Sequence, residues 1–395
     1  MEKRIDVVHV GASGIPFDRS ASVNRCLAIY SILTEDKFNV LAINNTVSQS
    51  DKSVIDIQKK GVHAGIEYQY TTPSPYRSNS FFKRRFDNFI SPINEFFLLF
   101  KLGFKRRIGI LIFYPKGTFF DLVFYRTISK LFNAPLVSHY VEYRSSFESR
   151  KKIWQRINDY LFDKYFMFFV DGVLPISQFL MNHVKERREN IPMLKIPPLV
   201  NFNLFEEIKR NKETVNYFLY VGSAGYFKAI ELLIEAFKDV KNKEYHLFLV
   251  LHGSGIEAVQ QAVNKHPKKN LIKIVSNLAY KELIQLYKEA QALLIPLSDN
   301  VQDRARFPQK ICEYLASANP IITTNYGEVS HYFKDIENAL VAIEDSPLEL
   351  SKKMNFVVEN PQLSKEIGKK GYQTGLKYFD TNSHKTAIKE FLGQL

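Results

Sequence analysis

The stretch YFLYVGSAGYFKAIELLIEAFKDV, Tyr217 to Val240, decides the fold. Five apolar or aromatic residues in a row are too few for a buried helix and suit a buried strand. Gly222 and Gly225 then bracket a tight turn. After them, apolar residues recur at Ile230, Leu233, Ile234 and Phe237, the spacing of one helical face. Strand, glycine turn and helix make the opening half of a β-α-β unit, which implies a parallel sheet.

The same pattern continues on both sides. HLFLVLHGSG (His246–Gly255) is again a strand with a glycine turn, and LIKIVSN, ALLIPLS and PIITTN are further strands. Upstream, RIDVVHV (Arg4–Val10) runs into GASG (Gly11–Gly14) and then into the helical NRCLAIYSILTE. FNVLAIN, GILIFYP, PLVSHYV and GVLPIS are later strands of that first set. Between the two sets, KIPPLVNFNLF (Lys195–Phe205) is rich in proline and asparagine, and a charged run follows it. The composition shift predicts a first α/β domain over 1–200, a linker over 201–213, a second domain over 214–378 and a terminal helical segment over 379–395 that packs back on the first domain.

The bulk numbers agree. A length of 395 residues suits two domains, and 45% hydrophobic residues suffice for a core in each. Lysine and arginine outnumber aspartate and glutamate by 54 to 41, a net charge of +13. That excess favours phosphate ligands, nucleic acid or an anionic membrane surface without choosing among them. Two cysteines, Cys26 and Cys312, support neither a disulfide framework nor a cysteine zinc site, and a cytoplasmic location is expected. The short apolar run near the start does not read as a signal peptide, and no stretch reads as a spanning helix.

Open α/β sheets bind ligands beyond the carboxyl ends of their strands. Three segments of the second domain fall there. In VGSAGYFK, Lys228 sits where a helix begins, an anion site by charge and by the helix's free N–H groups; a solvated lysine at a plain corner is equally consistent. In LHGSG, Gly253 permits close approach of a ligand, although a lone G-x-G is weak. In RFPQKICEYLASANPII (Arg306–Ile322), Lys310 and Glu313 are three apart on one helical face, so Lys310 could neutralise a diphosphate and Glu313 accept two ribose hydroxyls; a surface ion pair explains the same spacing.

FPQKICEYLASANPII resembles the signature segment of GT-B glycosyltransferases of the retaining family-four type (glycosyl transferases group 1). VGSAGYFKAIELLIEAF, LKIPPLVNFNLF and PLVSHYVEY resemble further segments of that family, in its order. The resemblance implies two Rossmann-like doubly wound domains facing a cleft, and transfer of a sugar from a nucleotide-diphosphate-sugar to a hydroxyl of a glycan or lipid-linked acceptor. It implies that Glu313 binds ribose, Lys228 the diphosphate, and the Gly11–Gly14 loop the phosphates and sugar. It places His139 at the sugar and Ser276 and Asn277 beside the base, with Gly222, Ser223 and Gly253 lining the donor. His139, Lys228 and Lys310 are the expected catalytic groups.

Some positions depart from that pattern. Ala305 stands where a second glutamate is usual, Ser223 where arginine is usual, Ala229 where glycine often follows the lysine, and Asn201 where aspartate is usual. The sequence resembles a subgroup with FP-x-K-x-x-EY, which implies Lys310, with Arg306, as the candidate source of the missing phosphate charge. No D-x-D triplet occurs, so no essential metal and no other cofactor is expected. Preorganised cations and helix N-termini suffice to stabilise a departing diphosphate. Asp18 and Arg19 in the loop after GASG read either as a phosphate or acceptor contact or as a solvated pair.

One segment points to the acceptor's source. SFFKRRFDNFISPINEFFLLFKLGFKRR (Ser80–Arg107) interleaves aromatics with basic residues, and Pro92 is expected to divide it into two helices. Phe82, Phe86 and Phe89 share a face that either lies on an anionic bilayer or packs on the domain's own sheet. The first reading puts the protein on the inner face of the cell membrane in polysaccharide or glycolipid synthesis. SRKKIWQRINDYLF (Ser149–Phe162) looks like core by its apolar spacing. A GT-B epimerase, an inactive nucleotide-sugar-binding homologue and a nucleic-acid-binding protein are the competing readings. The last lacks any finger, helix-turn-helix or ribonucleoprotein motif, so nucleic acid is not an expected partner.

Overall fold

The computed structural model describes residues 5–11, 14–16, 21–47, 57–115, 118–147, 150, 152–210 and 215–395. These form two compact units, one of residues 1–199 with 384–395 and the other of residues 200–383.

The first unit holds strands β1 (Ile5–Gly11), β2 (Val40–Asn44), β3 (Lys60–His63), β4 (Ile66–Tyr70), β5 (Ile108–Tyr114), β6 (Leu136–Tyr140) and β7 (Gly172–Pro175). Their order is β3-β4-β2-β1-β5-β6-β7, parallel except for the β3–β4 pair. The central strands are buried on both faces, which is why they read as unbroken apolar runs. Helix Ala21–Glu35 packs Val23, Cys26, Ile29 and Leu33 into the core under β1 and β2. Helix Lys385–Gly393 adds Ile388, Phe391 and Leu392 to the same core, and Lys385 and Lys389 pair with Asp36.

The second unit holds β8 (Tyr217–Ser223), β9 (His246–His252), β10 (Ile272–Val275), β11 (Ala292–Ile295), β12 (Ile321–Thr324) and β13 (Leu340–Ala342), in the all-parallel order β10-β9-β8-β11-β12-β13. Helix Phe227–Lys238 buries Ile230, Leu233, Ile234 and Phe237, the face its spacing predicts.

One element was missed in the sequence and three expectations are corrected. The β3–β4 hairpin went unread because only Ile66, Tyr68 and Tyr70 alternate as buried residues, and Ala64–Gly65, both at positive φ, form the turn. The linker expected over 201–213 begins as part of the second unit. Phe202 and Phe205 are buried there, and Phe205 stacks on Tyr287. Pro92 does not divide its segment: one helix runs from Phe81 to Phe104. The carbonyl that Pro92 leaves unserved belongs to Asn88, which faces solvent, so the helix tolerates the ring. Finally, helix Ile153–Tyr165 does not bury its first turns: Trp154 is 79% exposed and Ile153 is exposed beside it.

Candidate functional site

In an open parallel sheet the ligand crevice lies where neighbouring strands send their connections in opposite directions. In the second unit that place is between β8 and β11. The loop after β8 contains the glycine turn, and the segment after β11 leads to helix Gln309–Ala316. Arg306 joins the two: its guanidinium donates to Asp303 at 2.7 Å and to the Tyr226 hydroxyl at 2.5 Å, and lies 4.5 Å over the Tyr226 ring. Asp303, buried, is the acidic group in this region, while Ala305 is fully buried. Lys228 stands at the second position of its helix.

The neighbouring turn after β9 comes against the first. The Ala224 N–H donates to the His252 carbonyl at 2.9 Å, and the Ser223 hydroxyl accepts from the Gly225 N–H at 3.2 Å. Gly253 and Gly255 have φ of +82° and +106°. A Cβ on Gly255 would come within 3.2 Å of the Ala224 carbonyl oxygen, so these turns can be this close only with glycine there. The His252 imidazole is held below its usual range by burial and by the charge of Lys310. Gly222 and Ser223 are half-buried.

Helix Gln309–Ala316 brings Lys310 and Glu313 together as predicted from their spacing. The Lys310 ammonium lies 2.8 Å from Glu313 Oε2, and the same oxygen accepts from the Tyr287 hydroxyl at 2.9 Å. The sequence placed Glu313 on a ligand-facing side; the structure covers it, at 1% exposure, with Lys310 and Tyr287 across it. Burial and the Glu313 charge raise the Tyr287 and Tyr280 hydroxyls, so both remain donors at neutral pH. Tyr280 follows the loop of Ser276 and Asn277, and Asn277 has a φ of +58°. Tyr287 and Tyr280 were missed in the sequence. Their helix looks like any amphipathic helix, and only the fold brings it against Glu313.

In the first unit the corresponding place is between β1 and β5. Gly11, at φ +93°, ends β1 there, and a Cβ would collide with the Tyr114 carbonyl oxygen. Gly14 is buried, and Asp18 and Arg19 lie outside the described residues. His139, in β6, is fully buried. Arg25 Nε donates to His139 Nδ1 at 3.4 Å, which leaves the ring proton on Nε2, 3.5 Å from the Tyr30 hydroxyl; that hydroxyl lies 2.6 Å from His9 Nδ1. Burial, then Arg25 and His9, hold His139 well below the usual histidine range, so it is neutral at pH 7.

The Arg25 guanidinium also donates to the carbonyls of Ile196 (2.8 Å) and Pro197 (3.1 Å). Donor atoms of His9, Cys26 and His139 lie within 4.8 Å of one another. The buried Arg25 cation beside them, and a Cys26 thiol pushed up to about 12 by burial, make this a neutral hydrogen-bonded cluster rather than a cation site.

Both units are Rossmann-like α/β domains, and together they have the fold of GT-B glycosyltransferases. Residues 202–374 match the family described as Glycosyl transferases group 1. Over 209 residues the chain is 24% identical to an uncharacterized glycosyltransferase, MJ1178, of Methanocaldococcus jannaschii. That match spans about half of each protein, 53% of this chain and 55% of the relative. Three solved structures resemble the chain over nearly the whole length. A glycosyltransferase from Rickettsia africae ESF-5 has a TM-score of 0.73 at 17% identity, covering 100% of this chain and 99% of that one. Anabaena Alr3699/HepE, solved in complex with UDP and glucose, has 0.72 at 16%, covering 99% and 100%. Sucrose-phosphate synthase from Thermosynechococcus elongatus has 0.74 at 15%, covering 98% of each. Among the described residues, no helix is long and apolar enough to cross a membrane.

Proposed function

We propose that this protein is a glycosyltransferase that moves a sugar from a nucleotide-diphosphate-sugar to a hydroxyl of a glycan or lipid-linked acceptor, with retention at the anomeric carbon. The observation that carries the reading is the Lys310–Glu313–Tyr287 cluster beside the β8 and β9 glycine turns. A buried carboxylate is a strong acceptor for paired ribose hydroxyls. A lysine with three donors can keep its contact with that carboxylate and still offer a donor to a diphosphate. The UDP and glucose complex of the Anabaena protein supports a nucleotide-sugar as the donor class.

In this reading Lys310, Arg306 and Lys228 stabilise the negative charge that grows on the departing diphosphate, without a metal. The acceptor hydroxyl attacks from the face that the diphosphate leaves and gives its proton to a β-phosphate oxygen. His139, neutral and oriented by Arg25, is a hydrogen-bond donor or acceptor near the sugar rather than an acid. The exposed phenylalanines of helix Phe81–Phe104, flanked by Lys83, Arg84 and Arg85 at one end and Lys105, Arg106 and Arg107 at the other, rest on an anionic bilayer that carries the acceptor.

The test is incubation with UDP-, GDP-, ADP- and TDP-sugars and membrane lipid extract, with the product's anomeric configuration read by NMR. Transfer from one donor with its configuration kept is expected. An inverted product refutes retention, and binding of no donor refutes the transferase reading.

A further inference from the structure

The helix Phe81–Phe104 buries a polar row, Asp87, Ser91 and Glu95, spaced one helical turn apart. Two members are satisfied. The Ser91 hydroxyl donates to the Asn45 carbonyl at 2.9 Å, and Glu95 accepts from the Asn45 amide at 2.6 Å and the Tyr125 hydroxyl at 2.7 Å. The third is not. Asp87 is 3% exposed, and neither of its carboxylate oxygens has a hydrogen-bond partner among the described residues. An unpartnered buried carboxylate costs on the order of several kcal/mol, so a fold keeps one only where something else supplies the donors.

Asp87 lines a cavity of about 440 Å³ beside the first turns of this helix, near the carboxyl end of β2. Thr46, Asn88, Arg77, Arg84 and Arg85 line it too. Arg84 is anchored by its donation to the carbonyls of Ser78 (3.1 Å) and Asn79 (2.9 Å), and Arg85 lies 5.3 Å over the Phe81 ring. The cavity thus joins three guanidinium groups to one carboxylate that lacks donors. A bare phosphate would satisfy the arginines and be repelled by Asp87. A neutral polyol would satisfy Asp87 and offer no anion to Arg85. A phosphate ester of a polyol or sugar supplies both, with its phosphate on the arginines and its hydroxyls on the carboxylate.

We propose that this cavity binds the phosphorylated polyol or sugar headgroup of the acceptor. That the bound ester is the acceptor rests on the transferase reading; the binding itself does not. Phe82 and Phe86 of the same helix turns are exposed, so a headgroup still attached to its lipid could enter while its chains stay in the bilayer. A soluble phosphate ester offers the same chemistry.

The test is calorimetric titration of the full chain with sn-glycerol 3-phosphate and glucose 1-phosphate, each against inorganic phosphate and glycerol. At least one ester should bind roughly tenfold tighter than inorganic phosphate. Asp87→Asn, isosteric, should remove that advantage; Arg85→Ala, at an exposed position that leaves folding intact, should weaken the ester about tenfold. Vesicles of phosphatidylglycerol in phosphatidylcholine that compete for the site identify a lipid headgroup; failure to compete identifies a soluble ester. Esters that bind no better than phosphate, or that bind both variants undiminished, overturn the proposal. Nucleotide binding is read in parallel with Glu313→Ala, which should lose nucleotide and keep the ester, so the two readings fail separately.

Discussion

Two helices of this chain solve the same problem in opposite ways. Phe227–Lys238 turns Ile230, Leu233, Ile234 and Phe237 inward and its charges outward. Phe81–Phe104 turns Asp87, Ser91 and Glu95 inward and leaves Phe82, Phe86, Phe89 and Phe97 in solvent, Phe82 at 83% exposure. The first helix gains its stability from its own sheet. The second leaves apolar surface uncovered and holds itself to the domain partly through buried hydrogen bonds. A surface in water rarely shows so many rings on one element without a partner. The difference gives the two units different work. In the proposed reading one unit takes a small charged ligand, and the other offers its uncovered rings, with basic residues at their margins, to an apolar partner.

The largest expected effect tests the uncovered face. Replacing Phe82, Phe86 and Phe89 together by serine should weaken binding to phosphatidylglycerol-containing vesicles by roughly 1000-fold or more, since each inserted ring is worth about 1.5–3 kcal/mol. The melting temperature should hardly move, because these rings cover nothing in the fold. Unchanged vesicle sedimentation, or a large drop in melting temperature, would break the contrast between the helices.

The covered helix should behave in reverse. Leu233→Ala, at a fully buried position, should cost about 3 kcal/mol in urea unfolding and leave vesicle binding alone. Next comes Lys310→Ala, which should weaken nucleoside diphosphates about tenfold and the free nucleosides little, as a phosphate contact requires. Equal loss for both would place Lys310 at the sugar of the nucleoside or in a purely structural pair with Glu313.

The smallest effect is on pH. Burial holds His139 well below its usual range and, first by burial and then by Arg187, His183 at about 4. Both stay neutral when folded and take up protons when unfolded. The stability they allow is whole above about pH 6.5 and is lost as pH falls towards 4. Asp163, raised to about 6 by burial, acts in the opposite sense, its contribution present at low pH and lost as pH rises through 6. The net expectation is a loss of roughly 1–2 kcal/mol between pH 7 and 5. His183→Gln should flatten that slope; a slope unchanged by the substitution would show that His183 does not carry it.

Most of the architecture was legible because buried parallel strands read as apolar runs and glycine turns mark their ends. The β3–β4 hairpin was not, since an edge strand with polar alternation looks like loop. The exposed phenylalanines of Phe81–Phe104 were legible as a pattern, but the sequence left open whether they faced lipid or the sheet, and burial shows that Phe82, Phe86 and Phe89 do not pack on the sheet. In the candidate site, Lys310 and Glu313 could be read because three-residue spacing on a helix is local. Tyr287, Asp303 and Arg25 could not, since each meets its partner only through the fold. Asp87 was hidden for another reason: among flanking arginines it looks like a solvated charge, and its isolation shows only when the helix is seen from inside.

What matters most is whether the Lys310–Glu313 helix of the second unit holds a nucleoside diphosphate. The most direct measurement is calorimetric titration of UDP, GDP, ADP and TDP into the native chain and into Glu313→Ala. One diphosphate should bind the native protein and lose about 100-fold in affinity, near 3 kcal/mol, when the ribose-accepting carboxylate is removed. Undiminished binding to the variant, or no binding of any diphosphate to the native chain, would contradict it.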